Sequence, residues 1–84
     1  MTAVLETPPT VTTTVDARGS FCPGPLMELI RAIRESQVGD VIAVLSSDKG
    51  SKLDIPKWIE KAGHRLVSLT TLDGYDEIVV QKAR

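Results

Sequence analysis

Pro23 and Pro25, one residue apart in the stretch SFCPGPLMELIRAIRE, fix where a helix can begin and so constrain the fold more than any other feature of this chain. Proline is tolerated in a first helical turn, whose N–H groups have no partner within the helix, and breaks a helix further in. Behind the prolines Leu26, Leu29, Ile30 and Ile33 recur at i, i+3, i+4 and i+7, while Glu28, Arg31, Arg34 and Glu35 fall on other faces. That spacing predicts an amphipathic helix of about four turns, stopped by Gly39. Ahead of it Val11, Thr13, Val15 and Ala17 alternate and predict a strand ending near Arg18-Gly19; after it VIAVLS, residues 41–46, predicts a second strand that is central or covered on both faces. A helix carrying the chain between two strands implies a parallel pair.

The chain has 84 residues, enough for one domain with one modest core. Residues 1–10, with Pro8 and Pro9 and no period, are expected to be a flexible tail, and residues 11–84 the folded domain. In GSKLDIPKWIEKAGH, Ser51 followed by Asp54 resembles a capping box but would put Pro56 inside the helix. Asp54 as N-cap would place Pro56 in the first turn, so the regular helix is expected from about Ile55 to Ala62, closed by Gly63. Asp73-Gly74 is a two-residue hairpin turn that pairs Leu72 with Tyr75, Leu69 with Ile78 and Val67 with Val80 on one face, and Thr70 with Glu77 and Ser68 with Val79 on the other. The expected fold is therefore α/β: a two-layer sandwich of order β-α-β-α-β-β, its mixed four-stranded sheet covered on one face by two helices.

A net charge of −1 gives nucleic acid no overall attraction, so direct nucleic-acid binding is not expected. A single cysteine makes neither an internal disulfide nor a CxxC-type zinc site, and neither metal nor cofactor is implied. No apolar run approaches the roughly 20 residues of a membrane span, and the N-terminus lacks the pattern of a signal peptide. These features suggest a cytoplasmic protein, monomeric or weakly oligomeric, whose small core leaves room for partner contacts.

That single cysteine, Cys22, falls at the N-cap position of the first helix, with Pro23, Gly24 and Pro25 following. The partial positive charge of a helix N-terminus favours a thiolate and lowers the thiol pKa. Gly24 supplies the one obvious amide donor there, because the prolines have none. A lone cysteine is often simply a small buried residue, but prolines fixing the backbone beside it point to chemistry at sulfur. No second cysteine could resolve a disulfide. The only histidine, His64, ends the second helix, where a solvated cation is expected rather than a base for the thiol. Lys49, Lys52 and Lys57 around the second helix start are either solvated surface or a docking patch. Leu53, Trp58 and Ile59 are expected in the core, unless some form an apolar rim near the sulfur.

Together, Val15, Asp16, Arg18 and Gly19 at the strand end, Cys22-Pro23-Gly24-Pro25 at the helix start and Asp54-Ile55-Pro56 further on make the chain resemble the TusA/SirA-like sulfur-carrier family over about residues 13 to 82. The resemblance implies that Cys22 carries a persulfide, received from a cysteine desulfurase, rhodanese or DsrE-like protein and passed to an acceptor protein in tRNA thiolation, molybdenum cofactor assembly or sulfur oxidation. Gly24 stands where some members carry an acidic residue, and residues 1–10 have no assigned counterpart. Arg18 would either assist the anionic sulfur or pair with Asp16. The alternatives are a non-catalytic interaction or regulatory module on the same fold, and a thiol redox sensor.

Overall fold

The computed structural model describes residues 10–21 and 23–84. Its elements are β1 (Thr13–Asp16), α1 (Gly24–Arg34), β2 (Val41–Ser46), α2 (Lys49–Ala62), β3 (Arg65–Thr71) and β4 (Asp76–Gln81). They form one four-stranded sheet in the order β1-β2-β4-β3, with β1 parallel to β2 and β4 antiparallel to both β2 and β3. β2 is central, as its continuous apolarity suggested. The tail expected over residues 1–10 lies outside the described residues, except for an exposed Thr10.

Alternation along the strands divides the apolar residues between the two sheet faces. Val15, Ile42, Val44, Leu69, Ile78 and Val80 point to one face, where Leu29 and Ile33 of α1 and Ile55 and Ile59 of α2 cover them. Leu29, Ile42, Val44, Ile55, Ile78 and Val80 are fully buried, and this face is the core. On the other face Val41, Ala43 and Val79 of the central strands pack together, with Val67 against them.

Three local expectations are corrected. The first helix begins at Gly24 with Pro23 as its N-cap, one residue later than expected, and ends at Arg34 after about three turns, short of the four turns and the stop at Gly39 that the spacing predicts. The second begins at Lys49, well before Ile55. Asp48 is its cap: the Asp48 carboxylate accepts the Ser51 N–H at 3.0 Å and the Ser51 hydroxyl at 3.0 Å. Pro56 therefore does sit inside the helix, and burial of Ser51, Ile55 and Ile59 holds the turns on either side of it against the sheet. In the hairpin, Leu72 N–H donates to the Tyr75 carbonyl at 2.8 Å, and Leu69↔Ile78, Thr70↔Glu77 and Ser68↔Val79 pair as expected. Beyond Ser68 the register shifts. Val67 is bulged out of the pairing and Leu66 takes its place opposite Val80, because an extra residue on one strand moves all later partners by one.

Candidate functional site

Since β1 and β2 are parallel and β4 opposes β2, the ends of β1, β2 and β3, the start of β4 and the N-termini of both helices share one end of the molecule. The Asp16–Ser20 turn and the sequence around Cys22 lie there. Ala17 is buried and its N–H donates to the Leu45 carbonyl at 2.9 Å; Ser20 N–H reaches back to the Ala17 carbonyl at 3.2 Å. Arg18 and Gly19 are the middle of this turn. Gly19 has φ +90°, a left-handed conformation that suits glycine at the third position of a β-turn. Its N–H donates to the Ser47 hydroxyl at 2.9 Å, tying the turn to the residue after β2.

Arg18 and Asp16 form an ion pair. Arg18 Nε donates to Asp16 Oδ1 at 2.9 Å and Nη2 to Oδ2 at 2.8 Å, while the Arg18 backbone N–H adds a third bond to Oδ1 at 3.2 Å. The guanidinium hydrogen bonds hold the Asp16 carboxyl down at about 2, and the same contact raises the arginine further above its ordinary value. The guanidinium also lies 4.8 Å from the centre of the Tyr75 ring, within cation–π range. Arg18 is thus clamped between Asp16 and Tyr75.

Cys22 itself lies outside the described residues. On its two sides, Phe21 is 81% exposed and Pro23 is exposed, and the Gly24 N–H donates to the Phe21 carbonyl at 2.7 Å. That bond occupies the amide expected to serve the sulfur. Pro25 is buried at the second helical position, where its missing N–H leaves no intrahelical bond unmade.

Between the hairpin tip and α2 runs a groove of about 560 Å³ whose walls include Leu53, Leu72, Tyr75 and Lys49. Leu53, expected in the core, is 67% exposed there, because the helix extends back past it and turns it away from the sheet; Ile59 is buried and Trp58 packs partly buried against the core. Lys52 lines the same groove, donating to the Thr71 hydroxyl at 3.0 Å and lying 3.7 Å from Asp76, a nearly buried carboxylate that also accepts the Thr71 hydroxyl at 2.8 Å. Lys49 and Lys52 thus meet at the cysteine end, whereas Lys57 lines a separate hollow beside His64 and Leu66. Ser47 and Tyr75 were not singled out from sequence as part of this site.

His64 is not a solvated cation. Its Nδ1 accepts the Ala83 N–H at 3.1 Å, its ring lies 5.6 Å from that of Trp58, and burial, with Lys82 and Arg84 nearby, pushes its pKa down. It follows α2, at the end of the molecule opposite the start of α1. Among the described residues no group of three or more His, Cys, Asp or Glu could hold a metal ion, and no helix is long and apolar enough to cross a membrane.

A parallel β-α-β opening, a second helix on the same face and a closing hairpin define a SirA-like fold. The chain resembles the SirA-like protein from Desulfitobacterium hafniense with a TM-score of 0.76 and 27% identity, covering 86% of this chain and 99% of that one. Residues 13–82 match the family described as sulfurtransferase TusA, and the chain belongs to that family. A putative sulfur carrier protein of Archaeoglobus fulgidus is 54% identical over 70 residues, 83% of this chain and 96% of that protein. The sulfur carrier protein TusA of Pseudomonas syringae pv. syringae is 37% identical over 65 residues, 77% of each. The resemblance read from Asp16-Ala17-Arg18-Gly19 and Cys22-Pro23-Gly24-Pro25, and the β-α-β-α-β-β sandwich, are both borne out.

Proposed function

We propose that this protein is a cytoplasmic sulfur carrier that holds sulfur as a persulfide on Cys22. The observation that carries this reading is the family match over residues 13–82, a segment that contains the chain's only cysteine, with relatives named as sulfur carriers. The Cys22 thiolate attacks the outer sulfur of a donor persulfide; the new S–S bond makes Cys22–S–SH as the donor's S–S bond breaks and its thiolate leaves. An acceptor thiolate then attacks the outer sulfur of Cys22–S–SH, takes it, and releases the Cys22 thiolate. No electrons are gained or lost overall, so neither cofactor nor resolving cysteine is required.

Pro23 and Pro25 fix the backbone beside the sulfur, and the α1 N-terminus favours its ionised form. Asp16 and Arg18 act as a positioning pair that keeps the preceding turn in shape. Donor and acceptor are proteins; a cysteine desulfurase, a rhodanese or a DsrE-like protein fits the donor role, and the end that bears Lys49, Lys52 and Leu53 is where they dock. Incubation with a cysteine desulfurase and cysteine, read by mass spectrometry, tests the proposal. The expected product is an adduct of about 32 Da, one sulfur atom, on the wild-type chain and none on Cys22→Ser. Absence of any adduct with desulfurase, rhodanese and DsrE-like donors alike, while a partner still binds Cys22→Ser, would make the protein an interaction module instead.

A further inference from the structure

At the end remote from Cys22, the cleft between the two helices opens into a pocket of about 300 Å³ that the sulfur chemistry does not use. Its apolar floor is Ile30, Ile33 and the Trp58 ring. Every other side chain lining it is basic: Arg34 from α1, His64 after α2, and Lys82 and Arg84 after β4. No acidic side chain lines it.

These basic groups are differently committed. Lys82 Nζ donates to the Ile33 and Ser36 carbonyls at 2.7 Å each, closing the C-terminus of α1, so its charge is offset by that helix end. Arg34 and Arg84 have no hydrogen bond or ion pair to any of the described residues. The Arg84 side chain lies over Gly63, where an added Cβ would come within 2.8 Å of it, so the glycine that caps α2 also leaves this arginine its place. Because His64 Nδ1 accepts from Ala83, the neutral ring carries its proton on Nε2 as a free donor. The pocket therefore offers two unpaired guanidinium groups and an imidazole N–H above an aromatic and aliphatic floor. Lys61 and Arg65 lie at the same end of the molecule, as do Glu35, Asp40 and Glu60, none of which lines the pocket.

We infer that this pocket is a binding site for a small organic oxyanion, a carboxylate or phosphate carried on a flat apolar body. The guanidinium forks suit either anion, and the volume lies at the lower end of the range for small-ligand sites. The inference stands apart from the persulfide reading: it uses no residue near Cys22 and survives if that reading fails.

The sole histidine and the sole tryptophan both line the pocket, so the full chain reports its own occupancy. Titration at low ionic strength with phenyl phosphate, benzoate and inorganic phosphate, followed by His64 ring NMR signals and Trp58 fluorescence, is the test. Phenyl phosphate, benzoate or both are expected to saturate with a Kd on the order of a millimolar. Inorganic phosphate, lacking the apolar body, should bind at least about tenfold more weakly, and an anion beside His64 should raise its pKa by about one unit. The stronger of the two aromatic anions identifies the favoured head group. Arg34→Gln and Arg84→Gln should each weaken binding about tenfold or more while leaving amide NMR dispersion and Cys22 sulfur loading unchanged. No saturable shift with either aromatic anion, or equal binding by the Arg34→Gln/Arg84→Gln double variant, would overturn the inference.

Discussion

Asp16 and Arg18 are two residues apart, and the arginine grips its neighbour's carboxylate with both Nε and Nη2. With its folded pKa at about 2 against an ordinary 3.8, Asp16 contributes stability that is present above about pH 4 and lost as the pH falls toward 2. Arg18→Gln should return the Asp16 carboxyl toward its ordinary range, measured by carboxylate carbon NMR, and weaken the acid-limb dependence. His64 works in the opposite range. Its pKa is lowered, so the unfolded chain binds more protons, and stability is full above the ordinary value of 6.5 and declines below it. Urea unfolding between about pH 5 and 7 should show that decline in the wild type and a flatter profile in His64→Gln. The Asp16–Arg18 pairing was legible in the sequence because the turn glycine marks its surroundings, whereas Cys22, marked by the prolines, lies outside the described residues. Ser47 and Tyr75 were not legible, since one follows β2 and the other precedes β4, both distant along the chain, and only the order of strands in the sheet brings them to the turn.

Among the elements, β1, α1, β2 and the closing hairpin could be read from the period of their apolar residues, and α2 only in part. Pro56 is the reason: proline favours a first helical turn, which points to a start near Ile55, whereas Asp48, a good N-cap three residues ahead of Ser51, starts the helix at Lys49. Asp48→Ala should cost about 1–2 kcal/mol, measured by chemical denaturation, because it uncaps the helix and removes the acceptor of a buried serine hydroxyl. Gly63→Ala should cost about 1 kcal/mol, since residue 63 sits at φ +82° and a methyl group there would displace the Arg84 side chain. The bulge at Val67 left no mark in the sequence. Alternation continues through Val67 as through any strand, and pairing with Val41, Ala43 and Val79 on the open face is a tertiary preference.

For the molecule as a whole, stability rests on one layer of side chains between the sheet and two helices. Ile55 is fully buried at the middle of that layer, and Ile55→Ala should cost about 2–5 kcal/mol, a large share of the roughly 4–13 kcal/mol expected for a chain of 84 residues. Its loss should appear as a lowered denaturation midpoint with the slope unchanged. The same layer separates two ends of mixed charge: the cysteine end sets Asp16, Asp48, Asp54, Asp73 and Asp76 against Arg18, Lys49 and Lys52, and the opposite end sets Arg34, Lys61, Arg65, Lys82 and Arg84 against Glu35, Asp40 and Glu60. The sheet's two rims are β1, with four residues, and β3, with seven. A strand from another molecule laid along the longer rim would meet a misplaced residue at position 67 and fall out of step with the amides beyond it. Copies of the chain are thereby discouraged from zipping edge to edge into ribbons.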